Sequence, residues 1–270
     1  MGKIDIVLGV DGKIINLLPI LFIAFIVSGC LSEQSNEKEP SEITVAAAAD
    51  LYNAFTEIGK MFENETGNKV VFSFGSTGIL ATQIEGGAPF DIFAAADIAY
   101  IERLNEKGLL INDSVLLYAQ GRIVLAVNRN SGLRIDNLSE LRDPRIKKIA
   151  IANPEHAPYG LAAKQALQSA GIWEDIQPRL VYGENVRQTL IYIQRGEVEA
   201  GIVALSVASV PEINYVLIDD KMHKPLNQAL GTLSSTKKEK TAREFIKYVN
   251  TNGRPIMKKY GFLLPGEFTG

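Results

Sequence analysis

The chain has 270 residues, of which 46% are hydrophobic, enough to bury the core of one large domain or of two smaller lobes. Its net charge is −3, and its charged residues, 22% of the total, form no basic stripe, which argues against a nucleic-acid partner. With Cys30 as the one cysteine, an intrachain disulfide is excluded.

The first predicted element is an export signal. Lys3 and Lys13 precede an apolar run over residues 17–27, which is too short to span a bilayer but fits the apolar core of a signal peptide. The run ends in Val-Ser-Gly before Cys30, and this resembles a lipobox, in which the peptidase cuts before a cysteine that receives a lipid. We therefore predict a lipoprotein signal peptide over 1–29 and lipidation of Cys30. An ordinary signal peptide or a short anchor is the alternative.

A tether follows the predicted lipid site. Residues 32–41 (SEQSNEKEPS) are polar and charged, contain a proline and lack apolar periodicity. Such a composition is typical of a flexible linker. The lipidated cysteine and tether are thus expected over 30–41, and the protein is expected at the extracytoplasmic face of the cell membrane.

From Ile43 onwards, strand and helix patterns alternate. Short apolar or β-branched runs predict strands, and apolar residues at helical spacing predict helices between them. The predicted strands cover residues 43–47, 70–74, 92–95, 123–127, 149–151 and 200–203. The predicted helices are marked by Leu51 to Phe62, Ile79 to Glu85, Ile101 with Leu104, Leu161 to Ala170, Val186 to Ile193, and Phe245 to Val249. This alternation predicts an α/β fold with mainly parallel sheets, whose ligands bind where strands lead into helices.

Two strand-to-helix turns in the first half have unusual compositions. In the first, a strand ends in a run of alanines and Asp50 stands where a helix N-cap belongs. Small residues allow a ligand close to backbone N–H groups, but a tight helix–sheet contact with a capping aspartate is the favoured interpretation of this turn taken alone. In the second, Gly75-Ser76-Thr77-Gly78 places two hydroxyls at a helix start, which is either an anion site or an ordinary N-cap.

Two further turns lie in the second half. The segment 153–160 contains two prolines and a glycine before a helix, and Tyr159 can present its hydroxyl there as a donor. His156, in the same turn, is interpreted as a surface loop residue. The segment 183–186 opens the helix that carries Leu190, with free backbone N–H groups.

The sequence lacks the usual constellations of catalysis. It has two histidines, His156 and His223, and contains no Gly-x-Ser-x-Gly elbow, no His-Glu-x-x-His and no cysteine pair. A catalytic triad or zinc site therefore has little support. We predict a protein that is not an enzyme and uses no cofactor.

Several segments together resemble the molybdate-binding proteins of ABC-type importers. They occur in the family's order and cover nearly all of the chain after the tether: VAAAADL, SFGSTG, QIEGGAPFDIFAAAD, ANPEHAPYG, GENVRQTL and AGIVALS. The resemblance implies the type II periplasmic-binding-protein fold, with an anion held between two α/β lobes. Each lobe is then a mainly parallel sheet flanked by helices, with lobe 1 at 42–121 plus 225–270 and lobe 2 at 122–224.

The resemblance also implies the ligand and its contacts. Molybdate or tungstate would be bound by hydroxyls and backbone N–H groups, with no metal cation, and delivered to the permease subunits of an ABC importer by a monomeric protein. The contacts expected from the family motifs are Ala49, Asp50, Ser76, Thr77, Tyr159 and Val186. Tyr159 should act through its hydroxyl and Val186 through its backbone.

Two positions depart from the family pattern. Ala204 stands where one branch of the family has a tyrosine, so Tyr159 should take over that task, as in a second branch. Asp50 stands where serine, threonine or asparagine is common, and its carboxylate would repel a dianion. We expect Asp50 to turn back and cap the helix; the alternative is a protonated side chain that enters the cleft.

Three other functions stay open at this stage. The ligand could be another oxyanion, such as sulfate. A fold-related enzyme would need an acid or base in the cleft, for which Asp50 and Glu184 are the candidates. The third alternative is a lipoprotein that has lost its ligand.

Overall fold

The alternating strand and helix patterns fold into two five-stranded sheets with flanking helices in the computed structural model, which describes residues 40–269. The strands are β1 (Glu42–Ala48), β2 (Lys69–Gly75), β3 (Ile92–Ala95), β4 (Leu116–Gly121), β5 (Ile123–Asn128), β6 (Ile149–Ala152), β7 (Leu180–Gly183), β8 (Ala200–Ala204), β9 (Ile213–Leu217) and β10 (Leu226–Thr232). The helices are α1 (Tyr52–Thr66), α2 (Thr77–Glu85), α3 (Ile98–Glu106), α4 (Pro158–Ser169), α5 (Trp173–Ile176), α6 (Val186–Gln194), α7 (Glu239–Asn250) and α8 (Arg254–Lys259).

The two sheets share one strand pattern. The order is β2-β1-β3-β10-β4 in the sheet of lobe 1 and β7-β6-β8-β5-β9 in the sheet of lobe 2. In each sheet the fourth strand, β10 or β5, runs antiparallel to both of its neighbours, and the first three strands are parallel. The predicted two-lobe α/β fold is confirmed, with this one reversed strand in each mainly parallel sheet.

The chain passes twice between the sheets. Arg122 alone separates β4 of the first sheet from β5 of the second, and residues 218–225 lead back from β9 to β10. The reversed strand of each sheet is therefore the strand that the chain enters after a crossing. The short first crossing also explains why the sequence pattern missed β4, because no turn signal separates it from β5.

Helix α1 places its predicted apolar positions in the hydrophobic core. The predicted positions Phe55, Ile58 and Phe62 are all buried, and the helix ends at Gly67, whose φ of 72° is left-handed. The Phe62 ring meets Phe245 of α7 edge-on, with 5.3 Å between ring centroids. Burying a phenylalanine side chain contributes about 1.5–3 kcal/mol, so these contacts hold α1 firmly where its first turn faces the second lobe.

The ladder between β4 and β10 contains an irregularity close to the lobe boundary. Gln228 pairs with Ala119 and Ala229 with Leu117, so Tyr118 of β4 is an extra residue without a partner in the ladder. Such bulges redirect side chains next to functional sites. Here the bulge lies beside Gln228, which is fully buried.

The predicted signal peptide, Cys30 and most of the tether lie outside the described residues. Within residues 40–269, no helix combines the length and hydropathy needed to cross a membrane.

Candidate functional site

The four strand-to-helix turns converge on one cavity between the two sheets. Its volume is about 10 Å³, and it is lined by both lobes. All six residues predicted to contact the ligand are among those that line it: Ala49, Asp50, Ser76, Thr77, Tyr159 and Val186. The lining contains no lysine or arginine, so any anion held there would depend on hydroxyl and backbone donors.

Asp50 lies in the first turn, but it does not cap a helix. It belongs to a short 3-10 segment, Ala49–Leu51, and neither that segment nor α1 has a side-chain cap hydrogen bond. Its Oδ2 instead accepts hydrogen bonds from the Tyr159 hydroxyl at 3.0 Å and from Nε2 of Gln228 at 2.8 Å. The expectation of a capping aspartate is therefore wrong, because two buried donors outside the turn compete for the carboxyl group.

Burial sets the chemistry of the Asp50 carboxyl group. The residue is 1% exposed, and removal from water raises its pKa from 3.8 to about 7. The hydrogen bonds from Tyr159 and Gln228 oppose that rise without cancelling it. The carboxyl group can therefore be protonated or ionised near neutral pH.

Ser76 and Thr77 form the second turn at the start of α2. The Ser76 hydroxyl donates to the backbone oxygen of His156 at 2.6 Å and lies 2.8 Å from Nδ1 of the same residue. The Thr77 hydroxyl oxygen accepts from the backbone N–H of Ala96 at 3.2 Å, which leaves its hydrogen able to point into the cavity. Thr77 is thus the better placed of the two as a hydroxyl donor to a ligand.

Tyr159 lies in the first turn of α4, which Pro158 opens at the first helical position. The side chain is 4% exposed, and its hydroxyl lies between Asp50 and Gln228, with Gln228 Nε2 at 3.2 Å. Gly121 makes room for it, because a Cβ at that position would overlap the hydroxyl. Tyr159 lines the cavity, and its hydroxyl already has a partner from the other lobe in Asp50.

The fourth turn opens α6. The Asn185 side chain caps this helix by accepting from the N–H groups of Arg187 at 3.0 Å and Gln188 at 3.1 Å. Neither bond involves the backbone N–H of Val186. The residue Val186 is 3% exposed and lines the cavity. Glu184, the other acid considered for a fold-related enzyme, is exposed and is not part of the lining.

Contacts between the lobes hold the cavity closed. The N–H of Gly78 donates to the backbone oxygen of His156 at 2.9 Å, next to the Ser76 contact. Near Asp50, the Ser206 hydroxyl donates to the Asp50 backbone oxygen at 2.8 Å. At the edge of the cleft, the Arg187 guanidinium lies 3.4 Å from the centre of the Tyr52 ring, a cation–π contact.

Several residues of this site escaped the sequence analysis. His156 lies in a loop, as predicted, but it is half-buried and contacts lobe 1. Gln228 and Ser206 were not recognised, although a glutamine inside an apolar strand, LNQALGT, is a signal that a buried polar partner exists. The contribution of Gly121 depends on Tyr159, which is distant in sequence, so no local pattern indicates it.

Larger surface cavities lie elsewhere in lobe 2. One of about 530 Å³ is bordered by residues 133–136 and 143–146. Its charged groups already pair locally, as in the Arg145–Asp143 ion pair at 2.6 Å. Within residues 40–269, no group of three or more histidine, cysteine or acidic side chains is arranged to hold a metal ion.

Comparisons with known proteins agree with this geometry. Residues 43–263 match the family model of the bacterial extracellular solute-binding proteins. The chain is 32% identical to the molybdate-binding protein ModA of Escherichia coli K12, over 93% of this chain and 98% of the relative. It is 31% identical to a Bacillus subtilis 168 protein named as a candidate ABC transporter substrate-binding lipoprotein, YvgL, over 88% of this chain and 93% of the relative.

Solved structures show the same architecture. The Azotobacter vinelandii periplasmic molybdate-binding protein superimposes with a TM-score of 0.78 at 29% identity, over 83% of this chain and 99% of that chain. The sulfate-binding protein SubI of Mycobacterium tuberculosis H37Rv gives a TM-score of 0.69 at 14% identity, over 82% of this chain and 86% of that one. The second likeness shows a shared fold alone.

Proposed function

The chain belongs to the bacterial extracellular solute-binding proteins, and from this premise we propose that it captures molybdate or tungstate between its lobes for an ABC-type importer. The observation that carries the proposal is the convergence of Ala49, Asp50, Ser76, Thr77, Tyr159 and Val186 on one closed cavity. The names of its ModA relatives support molybdate as the anion.

The proposed mode of binding uses the physics of helix starts. The first N–H groups of a helix have no partner within that helix and carry partial positive charge, so several helix starts around one cavity favour an anion. Thr77 and Tyr159 add hydroxyls, and Val186 adds a backbone N–H. A tetrahedral oxyanion presents oxygen atoms in four directions, which matches donors that arrive from both lobes.

The proposed lobes follow from the crossings of the chain. We assign residues 42–121 and 225–270 to lobe 1 and residues 122–224 to lobe 2. The assignment is supported by Arg122 at the first crossing and by the return of β10 to the first sheet. Opening at these two crossings would release the contacts of His156 and Tyr159 with lobe 1 and let the anion enter.

We further propose that the mature protein is a monomer held at the outer face of the cell membrane by a lipid on Cys30. The Val-Ser-Gly-Cys sequence supports the lipid, and the lipoprotein name of the Bacillus subtilis relative agrees with it. A tether over residues 30–41 would let the binding domain reach the permease subunits of the importer. No catalytic step and no cofactor form part of this proposal.

A thermal-shift titration of the full chain in detergent tests the ligand. An anion that binds only the folded state stabilises it by about 4 kcal/mol at a thousandfold excess over Kd. Molybdate and tungstate should raise the Tm by several degrees with a chelator present, since no metal cation is required. A larger shift with sulfate would move the assignment to another oxyanion, and no shift with any oxyanion at millimolar concentration would contradict it.

A further inference from the structure

Three buried side chains form a closed triangle of hydrogen bonds beside the cavity. Oδ2 of Asp50 lies 3.0 Å from the Tyr159 hydroxyl oxygen and 2.8 Å from Nε2 of Gln228. The same Nε2 lies 3.2 Å from the Tyr159 hydroxyl oxygen. Asp50 and Gln228 belong to lobe 1 and Tyr159 to lobe 2, so the triangle is complete only when the lobes are closed.

The number of hydrogens in this triangle limits what Tyr159 can do. A phenol has one hydrogen to donate, whereas the Gln228 amide nitrogen has two. When Asp50 is ionised it can only accept, and the Tyr159 hydrogen is then engaged with Oδ2. In that state the tyrosine offers an approaching oxyanion only an oxygen lone pair, and the carboxylate adds a negative charge close by.

We propose that Asp50 takes up one proton from solvent when the oxyanion binds, so that its carboxyl O–H donates to Tyr159 and the Tyr159 O–H turns to the anion. This inference rests on the proposed function. Asp50 is then a positioning residue, because it acts on the anion through Tyr159. The proton removes the charge that would repel a dianion and, in the same step, frees a donor for it.

The surroundings of Asp50 favour the protonated form of its carboxyl group. Burial already raises the pKa of Asp50 to about 7, so the neutral carboxyl is accessible near neutral pH before any ligand arrives. Two titratable groups face it, Tyr159 from α4 and Tyr118 from β4, and burial raises the pKa of each phenol well above 10, which keeps both neutral. The Arg187 guanidinium of α6 is directed onto the Tyr52 ring.

The other neighbours of the carboxyl group are uncharged. Gln228 of β10 donates to Oδ2, and the Ser206 hydroxyl donates to the Asp50 backbone oxygen. A dianion entering next to this group raises its pKa further, because like charges disfavour the ionised form. Proton uptake is therefore coupled to binding.

Calorimetric titration of molybdate into the full chain in detergent tests the proposal. At pH 8, binding heats in buffers of different ionisation enthalpy should report uptake of close to one proton, and at pH 6 close to none. The wild-type Kd should weaken by up to tenfold per pH unit above pH 7. Asp50→Asn should bind with no proton uptake and a flat pH profile, because its amide can donate to Tyr159 at every pH.

The outcomes separate the two proposals. Asp97→Asn is the matched control: Asp97 caps α3, and asparagine also caps, so this variant should keep the wild-type proton count. Molybdate binding without proton uptake at pH 8, or a pH-dependent Kd in Asp50→Asn, would overturn this inference alone. Absence of molybdate binding at every pH would overturn the proposed function as well. The wild-type measurements stand even if Asp50→Asn does not fold.

Discussion

The hydroxyl of Ser76 in lobe 1 contacts two atoms of His156 in lobe 2, the backbone oxygen at 2.6 Å and Nδ1 at 2.8 Å. The N–H of Gly78 reaches the same backbone oxygen at 2.9 Å. His156 of the second lobe thus contacts the start of α2. The closed state therefore depends on how closely α2 and His156 can approach each other.

Gly78→Ala should therefore weaken oxyanion binding. A Cβ at this position would lie 2.7 Å from the His156 backbone oxygen, closer than atoms in proteins approach without a shift. Overpacking of this kind costs about 1–3 kcal/mol, so we expect a loss of affinity of about tenfold or more by calorimetry. The free energy of unfolding should change little, because opening the lobes relieves the contact.

Gly86→Ala is the control for that substitution. Gly86 follows the same helix, and a Cβ there would meet its nearest neighbour, the Gln83 oxygen, at 3.4 Å. Its affinity should match that of the wild type. Equal affinities for the two glycine variants would show that closure does not need the close approach of α2.

Removing the Ser76 side chain and removing the His156 side chain should weaken oxyanion binding to different extents. His156→Ala removes only the Nδ1 contact, since the backbone oxygen remains for Ser76. Ser76→Ala removes both contacts. At about 0.5–1.5 kcal/mol for each hydrogen bond, we expect Ser76→Ala to cost roughly tenfold in Kd and His156→Ala clearly less. A larger loss in His156→Ala would indicate that the imidazole itself contacts the anion.

Tyr159→Phe tests the hydroxyl that the two lobes share. A hydrogen bond to a charged group contributes about 1.5–3 kcal/mol, so Kd should rise roughly ten- to a hundredfold. The ring stays in place, and circular dichroism should show an unchanged fold. Tyr182→Phe, on the exposed side of β7, is the matched control and should bind as the wild type does. If both variants bind equally well, Tyr159 serves packing alone.

The pKa of Asp50 also predicts how stability depends on pH. The folded protein holds a proton on Asp50 up to about pH 7, whereas the unfolded chain releases it near 3.8. Between these values the folded state binds more protons, so this group makes the ligand-free protein less stable as pH rises and has no further effect above pH 7. The full difference corresponds to about 4 kcal/mol.

Asp50→Asn should remove this dependence. Chemical unfolding at pH 8 should show the variant to be more stable than the wild type, and at pH 4 the difference should vanish. Asp97→Asn should have the wild-type free energy of unfolding at both pH 8 and pH 4. A variant that loses stability at pH 8 would mean that the carboxylate, when ionised, is better satisfied by Tyr159 and Gln228 than its burial implies.

Cys30→Ser tests the anchor, which depends on sequence alone because residue 30 lies outside the described residues. Without the thiol no lipid can be attached, and the protein should move from the membrane fraction to the soluble fraction. Immunoblots of the two fractions measure this. Full membrane retention of Cys30→Ser would remove the lipoprotein assignment and favour a short anchor.

Local patterns in the sequence predicted where the turns lie, but they did not predict which residues the side chains of those turns contact. The helix positions Phe55, Ile58 and Phe62 follow from spacing alone, and they are buried as expected. The glycine-bounded Ser76–Thr77 turn likewise marks a helix start without any knowledge of the fold. These features depend on residues within about one turn of each other, which is the range over which the sequence is informative.

The hydrogen-bond partners of Asp50 and His156 are distant in sequence, and the sequence therefore did not predict them. Asp50 was expected to cap a helix because aspartate does so when its neighbours are the nearest donors. The fold brings Tyr159 and Gln228, which are 109 and 178 positions away, within 3.0 Å of its carboxyl group, and they take the place of the cap. His156 is misjudged for the same reason, since its partner Ser76 is 80 positions away and in the other lobe.

The position of β10 has a consequence for the order in which the chain assembles. This strand lies between β3 and β4 in the first sheet, yet it follows β9, the last strand of the second sheet, in the chain. During synthesis from the N-terminus, β4 therefore has no neighbour in its own sheet until residues 226–232 have emerged, whereas all five strands of the second sheet, within residues 123–217, are by then available. The lobe that begins the chain is therefore the last to be completed, because β10 joins its sheet only after all five strands of the second sheet have been made.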